Sequence, residues 1–355
     1  MAKSAPKFEI EPSSATVDVR IIDTTSWIGG IPTKVFFTPV TKGYDTLECP
    51  AYSFLIEHPS GRKLLFDLGV RKDWENLCPV TVDMIKNLEA KITVQKDVRE
   101  ILEDNGISAS SIEGIVWSHW HFDHTGDPST FGPSTALIVG PGFKDAFVPG
   151  YPTNAESVVL ESDYAGRELK EITFSPDKKV GRFESFDYFG DGSFYLLNSP
   201  GHAIGHLCAL ARVTSQPDSY ILMGGDASHQ AGEFRPSAYL PLPESISPHP
   251  LESHAVTTPC PGSLFEHLLP HGDTTKPFYS IAKGGVSVDA EEAERTIAKL
   301  QEADAQDKVL VVIAHDTGLL DVLDFFPKSA NDFASKGWVK KGRWAFLKDF
   351  KDALL

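Results

Sequence analysis

The chain alternates between short apolar runs and clusters of glycine, proline and aspartate. Ile115-Val116-Trp117, Ala136-Leu137-Ile138-Val139, Phe194-Tyr195-Leu196-Leu197, Tyr220-Ile221-Leu222-Met223 and Val309-Leu310-Val311-Val312-Ile313-Ala314 are apolar throughout. Runs this short, bounded by turn formers, predict strands buried on both faces. Val17, Val19 and Ile21 alternate with polar neighbours, which predicts a half-buried strand, and residues 52–56 and 63–69 predict a hairpin turning at Pro59-Ser60-Gly61. The helical period appears at Val98, Ile101 and Leu102, closed by Gly106, and at Ala290, Ala293, Ile297 and Leu300, with Asp289 or Ser287 as cap. Residues 28–50, with Gly29-Gly30, Pro32 and Pro39 among aromatics, predict an irregular arm. Residues 1–15, broken by Pro and Ser, predict a flexible N-terminus, and residues 16–355 a single domain.

What stands at the strand ends changes the picture. The run 115–117 leads into Ser118-His119-Trp120-His121-Phe122-Asp123-His124-Thr125-Gly126-Asp127. In extended chain, His119 and His121 project to one side and can grip one ion, while Asp123 and His124 are offered to a second point as the chain turns. Neutral imidazole with carboxylate suits zinc, and also iron or manganese.

At 355 residues and 41% hydrophobic the chain is long enough for one elaborated domain. A net charge of −16 without a Lys/Arg-rich run excludes a nucleic-acid partner. The four cysteines (Cys49, Cys78, Cys208, Cys260) show no C-x-x-C spacing, so free thiols in a reducing compartment are expected. With no apolar leader and no membrane-length run, a cytoplasmic protein without a membrane partner is expected.

His-x-His-x-Asp-His after a buried strand resembles the signature of the metallo-β-lactamase fold superfamily of dinuclear metallohydrolases. The resemblance covers roughly residues 50–320 and implies an α/β fold, an αββα sandwich of two mixed sheets flanked by helices. It also implies three further metal ligands. These fall on His202 in Pro200-Gly201-His202, on Asp226 after Gly224-Gly225, and on His315 at the end of 309–314. One ion would be held by His119, His121 and His202, the other by Asp123, His124 and His315, with Asp226 between them. His206 matches a second His of lactonase-like members and is read as a supporting or packing residue, and Asp67-Leu68-Gly69 looks like the superfamily's Asp-x-Gly turn beside the metals.

Within that superfamily the chain looks most like the N-acyl-homoserine-lactonase branch. The chemistry implied is opening of a small cyclic ester by a hydroxide shared between two divalent ions, most simply zinc. A cyclic amide or carbamate, or a glyoxalase-type thioester, is the alternative. That branch carries a Tyr three residues after the bridging Asp. Here the position is His229, which with Asp123 is a candidate catalytic residue.

A tRNA-processing nuclease is excluded by the charge. A flavodiiron-type oxidoreductase would have Glu at His121, and a binding module would have lost ligands. The Pro-rich segment 236–277 and the aromatic arm predict an apolar pocket wall, with Phe36, Tyr239, Leu240 and Phe265 as candidate substrate contacts. The aromatic-rich extension 325–355 predicts helices packed on the domain and leaves room for a homodimer contact.

Overall fold

The computed structural model describes residues 3–252 and 258–355. Its frame is two facing sheets. In the first, strands run in the order Lys91–Val94, Asp18–Pro32, Thr46–Glu57, Lys63–Phe66, Gly114–Val116, Ala136–Val139 and Leu169–Glu171. The last four pair in parallel and the others antiparallel. In the second the order is Val309–Val312, Ser219–Met223, Leu207–Thr214, Phe194–Asn198, Phe183–Asp187 and Lys179–Val180, with only the first pair parallel.

Strand periodicity explains why both faces of each sheet are apolar. Ile21, Phe54, Ile56, Phe66 and Val116 meet Leu196, Ala209, Ile221 and Val312 in the core between the sheets. Their sequence neighbours Ile22, Leu55, Leu65 and Ile115 point the other way and pack with Val98 and Leu102 of the helix Val98–Asp104. Leu197, Cys208, Leu222 and Val311 likewise face Ile297 and Leu300 of the helix Ala290–Asp304. Continuous apolar runs are therefore required, because each strand is covered twice. The layers are helix, sheet, sheet, helix, the αββα sandwich expected.

The predicted hairpin pairs Phe54 with Phe66 and Glu57 with Lys63. Both periodic segments are helices, and Asp289 caps the second through its carboxylate and the Glu292 N–H. The arm 28–50 is largely irregular over 33–45 as expected, but strand at both ends: Asp18–Pro32 continues through Gly29-Gly30, its register against Thr46–Glu57 shifting between Ile28 and Ile31. A glycine pair permits such a bulge, which bends the strand without ending it.

Residues 3–15 are not loose. Phe8 is buried, Gly181 donates to the Glu9 carbonyl, and the Arg212 guanidinium donates to the Glu11 carbonyl. An aromatic anchor among the Pro/Ser punctuation is what holds this strap down.

Phe333 and Trp338 of the C-terminal extension join the inter-sheet core, and Phe346 and Phe350 join the core beneath the second sheet. The four cysteines are free and buried. Among the described residues no helix is long and apolar enough to cross a membrane.

Candidate metal centre and its pocket

All seven residues of the anticipated ligand set meet at one edge of the sandwich. Strand Gly114–Val116 delivers His119 and His121, and the single turn Phe122–Thr125 delivers Asp123 and His124. Gly126 ends that turn at φ +49°, where a Cβ would strike Leu68. His202 leaves strand Phe194–Asn198 through Pro200-Gly201. Gly201 has φ +123° and lies against the backbone of Ala293, so only glycine lets the turn seat on the helix Ala290–Asp304. Asp226 and His315 follow the adjacent parallel strands Ser219–Met223 and Val309–Val312.

Two donor groups result. His119, His121, His202 and Asp226 each offer an atom within 4.8 Å of the others, and so do Asp123, His124, Asp226 and His315. His202 Nε2 lies 3.1 Å from His119 Nε2 and 3.0 Å from His121 Nδ1. Asp226 Oδ2 is 3.7 Å from His119 Nε2 and 3.5 Å from His202 Nε2. Its Oδ1 is 3.1 Å from both His124 Nε2 and His315 Nε2. Asp123 Oδ2 stands 3.4 Å from His315 Nε2.

Donor atoms about 2.0–2.1 Å from a tetrahedral cation lie about 3.3 Å from one another, so these spacings fit a metal at each group. His124 Nε2 and Asp226 Oδ1 are buried without a hydrogen bond. Buried polar atoms are rarely left so, and a cation between them would satisfy both.

The outward nitrogens are held by partners that fix the rings. His124 Nδ1 is 2.9 Å from Asp67 Oδ2, and Asp67 Oδ1 accepts from the Ser118 N–H at 2.6 Å. His315 Nδ1 donates to the Pro50 carbonyl at 2.7 Å, and the Ser118 hydroxyl is 3.0 Å from His119 Nδ1. His206 contributes no donor to either group. Its Nδ1 donates to the Ser199 carbonyl and its Nε2 accepts from the Asp226 N–H, each at 3.0 Å, so it anchors the Asp226 backbone.

Electrostatics divides the imidazoles. Burial, aided by the neighbouring imidazoles, pushes His119 and His202 well below the usual histidine range, and burial lowers His121 to about 4 and His206 to about 3. These rings are neutral, the state a metal requires. Burial also acts on His124 and His315, but facing carboxylates, Asp226 foremost, outweigh it and raise both. Asp226 is held ionised against its burial by His124 and His315.

A cavity of about 410 Å³ opens onto this centre. His121, Asp123, His202, Asp226, His229 and His315 line its floor. Its walls come from the bulged strand (Ile28, Ile31), from Met84 and Leu88 at the end of the helix Pro79–Asn87, and from Val286. Phe36 lines it as expected, its ring centroid 4.6 Å from that of His229.

Tyr239, Leu240 and Phe265 do not line it. Phe265 is fully buried with Leu242, Ile246, Cys260 and Leu269 in the core beneath the second sheet, and Tyr239 and Leu240 are half-buried outside the cavity. The buried apolar residues of the Pro-rich segment are spent on that core, while Leu264 is exposed; residues 253–257 of it lie outside the described residues. The arm 28–50 supplies wall as expected, through Ile28, Ile31, Val35, Phe36 and Leu47, whereas Met84, Leu88 and Val286 carry no signal in the sequence that marks them as wall.

His229 is buried, its Nε2 3.4 Å from Asp226 Oδ2, and neither ring nitrogen makes a hydrogen bond among the described residues. Glu233 shapes its loop by accepting from the N–H groups of His229 and Gln230 and from the Ser228 hydroxyl.

Residues 46–257 match the model of the Metallo-beta-lactamase superfamily, and the chain belongs to that superfamily. It is a metallo-hydrolase of that class. It is 48% identical over 353 residues to Gamma-lactamase FDB1 of Fusarium pseudograminearum (strain CS3096), covering 97% of this chain and 85% of that protein. It is 43% identical over 361 residues to Cytochrome P450 monooxygenase mpaDE' of Penicillium brevicompactum, covering 99% of this chain but only 40% of that longer protein. Among solved structures, a quorum-quenching N-acyl homoserine lactone hydrolase aligns with TM-score 0.58 at 18% identity, covering 90% of this chain and all of that one, a likeness of fold.

Proposed function

We propose that this chain opens a small cyclic amide or ester. In this reading His119, His121 and His202 would hold one divalent ion and Asp123, His124 and His315 the second, with Asp226 available to both. The observation that carries the reading is the convergence of two donor groups, with buried unpartnered atoms between them, on the floor of an apolar cavity. Zinc suits the nitrogen-rich donors, and iron or manganese would be accepted by the same set. Such ions, when bound, supply Lewis acidity that brings the pKa of water from about 15.7 toward neutrality and polarises a carbonyl.

The side chains do the rest. The apolar walls exclude bulk water and strengthen every charge interaction on the floor. The Asp123 carboxylate, which lines the cavity, is placed to accept a proton from the attacking water and pass it on. His229 Nε2 faces the same floor and is the group available to donate to the carbonyl oxygen or the leaving atom.

A cyclic amide is favoured over a cyclic ester by the 48% identity to a protein named a gamma-lactamase. The ester reading draws on N-acyl homoserine lactonase relatives at 26% identity or less. Metal-replete protein given matched γ-lactams and γ-lactones, with the ring-opened acids quantified by liquid chromatography, should open the lactam; opening of neither ring would refute the proposal.

Two substitutions test the roles. His229→Phe keeps the ring volume and is expected to lower kcat by about 100-fold with metal content unchanged. Wild-type turnover in that variant would remove His229 from the mechanism. Asp67→Asn is expected to weaken metal affinity by about 10- to 100-fold, because the carboxylate orienting His124 is lost. Competition against a chromophoric chelator reads this, and unchanged affinity would count against it.

A further inference from the structure

The cavity is sharply divided by charge. Its floor carries every ionisable histidine and carboxylate that lines it, and among the described residues no Lys or Arg side chain lines it. The remaining lining is apolar apart from the Cys49 thiol and the Trp120 indole, neither of which is a charged partner. The chain as a whole carries −16, so anions are repelled on approach.

We propose, resting on the hydrolase reading above, that the substrate is uncharged. Its scissile ring sits on the floor and its body, aromatic or aliphatic hydrocarbon, lies against Phe36, Met84, Leu88 and Val286. A benzene-sized body occupies roughly 150 Å³ of cavity. The 410 Å³ here therefore holds a ring with a body of at most one or two further rings. A charged group on that body, lying against the apolar wall beyond the reach of the two ions proposed for the floor, would be stripped of water with no counter-charge beside it, a cost of several kcal/mol.

Leu88 is the position that tests this. It is half-buried at the C-terminus of the helix Pro79–Asn87, four residues after exposed Met84, so both stand on the mouth side of the wall. An arginine there keeps an aliphatic stem against the wall and suits a helix C-terminus.

The experiment compares γ-lactams whose body carries either a methyl or a carboxylate group, using metal-replete wild type and Leu88→Arg. Wild type is expected to favour the methyl compound in kcat/KM by about 100-fold or more. Leu88→Arg is expected to bring the carboxylate compound within about tenfold of it, while Leu88→Met leaves the ratio unchanged.

Calorimetry with methyl- and carboxyl-substituted indanone, a ring that cannot be opened, runs beside it. There Leu88→Arg should tighten binding of the carboxylate by about tenfold or more over wild type. If that gain appears but no lactam or lactone is opened, the hydrolase reading falls and the selectivity stands. Equal handling of both compounds by wild type, or no gain in a folded, metal-replete Leu88→Arg protein, overturns the inference.

Discussion

Replacing Asp226 with alanine is expected to abolish ring opening, by at least about 1,000-fold in kcat, and to leave the protein with fewer than two tightly held ions. The reason is geometric. Asp226 is the one side chain shared by both donor groups, with Oδ2 facing His119 and His202 and Oδ1 facing His124 and His315. None of His206, Asp123 and His229 can replace it: His206 is committed to the Asp226 backbone and Asp123 already serves one group, while His229 offers a single nitrogen and cannot give an atom to each group. Kinetics and elemental analysis on a variant whose circular dichroism matches wild type check this. Retention of two ions at wild-type affinity would show that Asp226 is not the bridge.

Stripping the ions with a chelator is expected to lower the melting temperature by about 3 to 4 °C for each ion removed, the stabilisation conferred by a ligand at about 100 times its Kd. The gap should widen as pH rises from about 6 to about 8. In the metal-free protein the facing carboxylates hold His124 and His315 above the usual histidine range, so both carry protons near neutrality. An ion must displace those protons. Acid therefore weakens loading, and uptake at neutral pH releases protons to the buffer. Calorimetric scans with and without added metal across that pH range read the effect, and a gap that narrows with rising pH would contradict the assignment of these two residues.

The convergence of the seven candidate donor residues was legible because its signal is local. His119, His121, Asp123 and His124 lie within one loop, and His202, Asp226 and His315 each follow a run apolar enough to be recognised as a strand leaving the core. The layers were legible for the same reason, since Leu196 and Leu197 can both be apolar only if both faces of their strand are covered.

The pocket was not legible in that way. Its walls are assembled from a bulged strand, the end of a helix and a loop far apart in sequence, and no local pattern says that Met84 and Ile31 meet. The Pro-rich segment was expected to wall the pocket, but Phe265 and Leu242 cover the second sheet instead. Composition reports that apolar surface exists; it does not report which surface covers which.

The most direct measurement is a titration of metal-free protein with zinc, following hydrolysis of a γ-lactam and bound metal together. No turnover is expected without metal, and full turnover at two equivalents, one for each donor group. Ring opening by rigorously metal-free protein, or a plateau reached with no ion bound, would contradict the two-ion reading.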